Sequence, residues 1–144
     1  DLKRRLADRC YTSAAHTVSV ARPLIAALAS RYPLALVSNF YGNIGAVLRD
    51  FRLDHYFPHI IESATVGIRK PDPAIFRLAL DALHLTDASR VVVIGDSHDK
   101  DILPSASLGC RTVWLKNIGW RPYTGTESAD EIITDFRELE SLLL

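Results

Sequence analysis

The sequence has 144 residues, the size of one domain, and 48% of them are hydrophobic and 24% charged, the composition of an ordinary globular chain. Seventeen Lys and Arg balance seventeen Asp and Glu, which excludes a general electrostatic pull toward nucleic acid or an anionic membrane. No apolar run reaches the ~20 residues of a membrane span, and Cys10 and Cys110 fit neither a disulfide framework nor a metal motif, so the expected setting is cytoplasmic.

In chain order, residues 2–12 (LKRRLADRCYT) have helical propensity and spacing. A polar stretch from Ser13 to Ser19 reads as a linker. Residues 22–32 (RPLIAALASRY) form an amphipathic helix with Pro23 in its first turn. LALVS (34–38) is a short apolar strand, and 43–51 is helical with Asn43 as its cap. HIIES (59–63) is a second strand. Residues 73–85 form a helix capped by Asp72 with Pro73 at its first position. RVVVIG (90–95) is a third strand, 101–109 a helix ending on Gly109, and RTVWL (111–115) a fourth strand. EIIT (131–134) is a short fifth strand, and 135–144 closes the chain as a helix. Helices alternating with short, fully apolar strands predict an α/β fold with a parallel sheet covered on both faces. Such sheets bind ligands beyond the carboxyl ends of their strands.

Those ends gather a specific set of groups. Ser38 and Asn39 follow the first strand. Lys70 follows the second, inside RKPDP, where Pro71 and Pro73 also supply helix-entry chemistry. Asp96 follows the third strand in VVVIGDSHDKD, with Asp99 and Asp101 close behind. A hydroxyl, an amide, a cation and carboxylates at one sheet edge suit a phosphate with a divalent cation. Ser38 can donate to phosphate oxygens and Lys70 can neutralise their charge. Asp96 offers the hard oxygen that Mg²⁺ takes alongside several waters.

In this order and spacing the motifs resemble those of the haloacid dehalogenase superfamily of phosphohydrolases. LALVSN matches its second motif through Ser38, RKPDPAIF its third through Lys70, and VVVIGDSHDKD its fourth through Asp96 and Asp101. The resemblance covers roughly residues 20–144. It implies a three-layer Rossmann-like core and a Mg²⁺-dependent phosphatase acting on a small phosphate ester through a phospho-aspartyl intermediate. Ser38 and Lys70 would be catalytic and, with Asn39, would bind phosphate. Asp96 would ligate Mg²⁺, with Asp101 supporting the metal or Lys70. His98 and Asp99 fall outside the motif positions and read as solvated first-turn residues. Trp114 and Trp120 read as packing residues, and segment 117–123 borders the site.

The family's first motif, an apolar strand ending in Asp-x-Asp, has no counterpart here. Asp8 sits in a helical stretch with no apolar strand before it. Residues 1–20 therefore read as the remnant of a helical cap and its linker, and 21–144 as an incomplete hydrolase core. With no Met in the sequence and Asp at position 1, the chain is expected to be a C-terminal portion of a larger hydrolase, inactive alone. The absent nucleophile strand belongs between the strands that end at Ser38 and Asp96. An N-terminal segment or a second chain would supply it, because unpaired buried backbone groups cost on the order of 1–3 kcal/mol each. Competing readings are a haloacid dehalogenase, which uses no metal, and a non-catalytic pseudoenzyme or binding module of the same fold. A phospho-receiver domain is disfavoured because there the acidic residues precede the Ser and Lys.

Overall fold

The computed structural model describes residues 1–116 and 125–144. Asp1 opens the first helix, α1 (Leu2–Arg31), its carboxylate accepting from the Lys3 amide at 3.1 Å. The helix runs unbroken through 13–19, where the sequence reading places a linker. No glycine interrupts that stretch, and its hydroxyls turn inward. Thr17 Oγ1 donates to the Ser13 carbonyl at 3.1 Å and Ser19 Oγ to the His16 carbonyl at 2.7 Å, so two of its three hydroxyls are satisfied within the helix. Pro23 consequently lies inside α1 rather than in a first turn. An interior proline costs ~3 kcal/mol. Burial of the next two turns, through Leu24 and Leu28, offsets it.

Two parallel pairings follow. Strand β1 (Ala35–Ser38) pairs with β2 (His59–Glu62) from Ala35↔His59 to Ser38↔Glu62. Strand β3 (Val92–Gly95) pairs with β4 (Arg111–Leu115), which pairs with β5 (Glu131–Ile133). The sheet is therefore in two pieces, β1–β2 and β3–β4–β5. Among the described residues no strand pairs with the second edge of β1 or of β3. All pairings are parallel, and helices connect β1 to β2, β2 to β3 and β3 to β4, which makes this a Rossmann-like α/β core. Every residue of β1 is only half-buried, whereas Thr112, Val113 and Trp114 of the doubly paired β4 are buried. The main core joins Leu28 of α1 to Val113, Ile133 and Leu139, the last lying on α6 (Leu139–Leu143).

The connecting helices are shorter than expected for local reasons. Helix α2 (Ile44–Asp50) has Asn43 at its cap position, but the Asn43 side chain makes no capping hydrogen bond. Ser63 leaves the second strand to begin the single turn α3 (Ser63–Val66). Helix α4 (Ala74–Ala82) starts where Asp72 Oδ1 accepts from the Ala74 amide at 2.9 Å. It stops before His84, whose φ of 55° is left-handed. In place of one helix over 101–109 there is a π-helical turn, His98–Ile102, followed by α5 (Leu103–Ala106). Thr112 and Asp130 lock β5 to β4 reciprocally. The Thr112 amide and hydroxyl donate to Asp130 Oδ2 at 2.7 and 2.9 Å, and the Asp130 amide donates to Thr112 Oγ1 at 3.1 Å. The Thr112 amide above all, then its hydroxyl, holds the Asp130 carboxyl below its ordinary value.

Candidate active site

Ser38 closes β1, half-buried, and its hydroxyl bonds to no other described residue. Asn39 beside it has both ends of its side-chain amide committed. Nδ2 donates to the Lys70 carbonyl at 2.9 Å and Oδ1 accepts from the Lys70 amide at 2.8 Å. That two-point clamp fixes the backbone of the lysine against the end of β1.

The Lys70 ammonium donates to the Val37 carbonyl at 3.2 Å and to Asp101 Oδ1 at 2.6 Å. One side chain thus bridges the two pieces of sheet. The pair is sheltered, with side chains 15% and 7% exposed. Asp101 Oδ2 accepts from the Ser97 amide at 3.0 Å, and Ser105 Oγ donates to the Asp101 carbonyl at 2.5 Å. The π-helical turn brings Asp101 here. The Ser97 carbonyl accepts from the amides of both Asp101, at 2.8 Å, and Ile102, at 3.4 Å, and the widened turn tucks the carboxylate under β3. Gly95 leaves the room, since a Cβ there would lie 2.3 Å from Asp101 Cβ.

Asp96 is the exposed counterpart. Its carboxylate bonds to no described residue, while its carbonyl accepts from Trp114 Nε1 at 3.1 Å. Among the described residues no three His, Cys, Asp or Glu side chains cluster as a ready-made metal cage. Asp101 has both oxygens on protein donors. The donor set therefore fits a weakly chelated, largely hydrated hard cation held by Asp96, the habit of Mg²⁺.

The structure brings Asn39, Lys70 and Asp101 into direct contact, with Ser38 next to Asn39 in sequence and Asp96 one residue beyond β3. Asp99 is exposed, as expected. His98 is not solvated: its side chain is 11% exposed and its ring centroid lies 5.1 Å from that of Trp114. The reason is the π-helical turn, which points residue 98 inward. Trp114 packs, as expected, but also hydrogen-bonds. Trp120 and segment 117–123 lie outside the described residues. Glu62 is a buried carboxylate that sequence reasoning missed. Its Oε1 accepts from the amides of Gly42 at 2.8 Å and Ile44 at 3.1 Å, capping α2 from the neighbouring strand in place of Asn43. The available signal was an acidic residue closing an otherwise apolar strand.

A family model described as haloacid dehalogenase-like hydrolase matches residues 6–109. A phosphoserine phosphatase from Thermus thermophilus is 37% identical over 87 residues, covering 60% of this chain and 34% of that protein. The pyrimidine 5'-nucleotidase YjjG from Escherichia coli is 31% identical over 121 residues, covering 83% of this chain and 53% of that protein. Among solved structures, the orthorhombic form of YfnB from Bacillus subtilis, bound to magnesium, superposes with a TM-score of 0.76 at 27% identity. That match covers 85% of this chain and 54% of YfnB. The chain thus spans between a third and about half the length of these relatives.

Proposed function

Because the chain belongs to the haloacid dehalogenase-like hydrolases, we propose that it forms the phosphate-holding half of a Mg²⁺-dependent phosphomonoesterase. The observation that carries this reading is Lys70. Its ammonium is fixed between the Val37 carbonyl and Asp101 at the open junction of the two sheet pieces, within reach of a phosphoryl group resting there. The phosphoserine phosphatase and the 5'-nucleotidase among its relatives support the choice of phosphate esters.

The nucleophile is an aspartate on a strand that completes the sheet between β1 and β3, contributed by another segment of a longer protein or by a second chain. Its carboxylate oxygen attacks phosphorus and the ester P–O bond breaks. The leaving oxygen takes its proton from the second aspartate of the Asp-x-Asp pair on that strand, and water then cleaves the acyl phosphate to release inorganic phosphate. Ser38 donates to a phosphoryl oxygen. Lys70 offsets the charge on the nucleophile and on the transferring group, held on target by Asp101 and Asn39. Mg²⁺, with Asp96 as a ligand, supplies further charge neutralisation when bound.

The test uses p-nitrophenyl phosphate with Mg²⁺ or EDTA. The 144-residue chain is expected to show no turnover. The longest protein that contains it together with an Asp-x-Asp strand is expected to show Mg²⁺-dependent turnover that Lys70→Met abolishes. Turnover by the mass-verified short chain would sink the assignment of the nucleophile. Metal-independent halide release from a 2-haloacid by the longer protein would make it a dehalogenase instead.

A further inference from the structure

We propose that Trp114 and His98 are positioning residues for Asp96, an inference that rests on the reading of Asp96 as the cation ligand. Asp96 lies just past the end of β3, where the strand no longer fixes the backbone, and its side chain has no partner of its own among the described residues. The peptide that follows it is held at both ends: the Ser97 amide donates to Asp101 Oδ2 at 3.0 Å, and the Asp96 carbonyl accepts from the Trp114 indole N–H at 3.1 Å. Trp114 faces Gly95 across the parallel pairing of β3 and β4, so the indole reaches one residue beyond the paired strand. Holding that carbonyl fixes the plane of the Asp96–Ser97 peptide and thereby the direction in which the Asp96 side chain leaves the backbone.

The indole is in turn braced. The His98 ring lies against it at 5.1 Å between centroids, tilted by 57°. His98 Nε2 sits 3.0 Å from the Ser128 carbonyl. A carbonyl only accepts, so Nε2 carries the proton in this contact. The Nδ1 atom is enclosed without a hydrogen bond, Asp99 Oδ1 being 3.8 Å away. His98 thus ties residues 125–130, beside β5, to the turn that carries Asp96. This arrangement uses a histidine otherwise unexplained by the site.

The test compares the wild-type chain with Trp114→Phe, which keeps a ring but loses the N–H, and His98→Phe, which keeps the ring contact but loses the Ser128 anchor. Amide NMR spectra without metal come first. Both variants are expected to move the Ser97 resonance, which shares the Asp96 peptide, and to leave those of β2 in place. A stationary Ser97 signal in either variant overturns the role of the residue changed. Titration with MgCl₂ follows. Trp114→Phe is expected to raise the Mg²⁺ Kd about fivefold, the effect of one lost neutral hydrogen bond. Equal Kd values in wild type and variant overturn the positioning role. If the wild type itself shows no Mg²⁺ response while Ser97 still moves in the variants, the cation reading of Asp96 fails and the Trp114 hold on its peptide is upheld.

Discussion

Replacing Asp101 by Asn is the sharpest test of how the two sheet pieces are joined. The carboxylate receives two donors, the Lys70 ammonium at 2.6 Å and the Ser97 amide at 3.0 Å. Asparagine offers one acceptor oxygen and one NH₂ group. Whichever way its amide turns, one of those donors faces another donor. The charge is lost as well, leaving a lysine side chain that is 15% exposed without its counter-ion. Breaking a buried pair from one side costs ~3–5 kcal/mol, and an orphaned buried donor accounts for ~1–3 kcal/mol of that kind of loss. Because Lys70 keeps the Val37 carbonyl, the lower end applies, about 3 kcal/mol. Urea denaturation followed by circular dichroism reads this directly. With a slope of roughly 1.5–2 kcal/mol per molar for a chain of this size, the midpoint falls by about 1.5–2 M. The double variant Lys70→Met with Asp101→Leu removes both charges together and is expected to recover most of the loss. A midpoint within ~0.5 M of wild type for Asp101→Asn would show that the pair does not hold the junction.

Other outcomes follow from the same geometry. Gly95→Ala places a methyl 2.3 Å from Asp101 Cβ and should lower stability by ~1–3 kcal/mol in thermal unfolding, through displacement of Asp101. Glu62→Ala should cost about 2 kcal/mol by stranding the Gly42 and Ile44 amides. Glu62→Gln, whose carbonyl oxygen can accept from both, should cost less than about 1 kcal/mol in the same measurement. Asp135 is held at about 2, below its ordinary 3.8, first by its side-chain bonds to Arg137 and then by the Arg137 amide. Its contribution is therefore present above its ordinary value and is lost as pH falls toward 2. Asp135→Asn should flatten that part of the acid-denaturation curve, and an unchanged acid limb would count against the bond.

The strands were legible because each is a short apolar run bounded by turn residues, and β1, β3 and β4 lie where LALVS, RVVVIG and RTVWL place them. The strand-end groups were legible because parallel sheets put loops there. What the sequence concealed was set by side-chain satisfaction rather than by pattern. Polarity alone suggested a linker at Ser13–Ser19, but inward-bonded hydroxyls make it helix. Asn43 has the chemistry of a cap, yet its side chain makes no capping bond, and Glu62, distant in sequence, accepts instead from the Gly42 and Ile44 amides. The π-helical turn was concealed because its extra residue depends on where Asp101 must go. His98 was misread as solvated for the same reason. Asn39 was expected near phosphate, and only the structure shows its amide committed to the Lys70 backbone.

Helix α1 has a mechanical consequence. It is 30 residues long, about 45 Å at 1.5 Å per residue, and it is anchored in the core at Leu28. Moved as one rod about that anchor, a tilt of about 5° would sweep the Leu2 end through about 3 Å. Part-way along, the Tyr11 hydroxyl donates to Asp50 at 2.8 Å and its ring stacks on Phe51 at 5.6 Å. Arg22 Nη2 reaches the Phe51 carbonyl at 3.0 Å. These contacts make the end of α2 a fulcrum rather than a bystander. Force applied to the first turns of the chain therefore reaches the C-terminal end of α2 before it reaches the core.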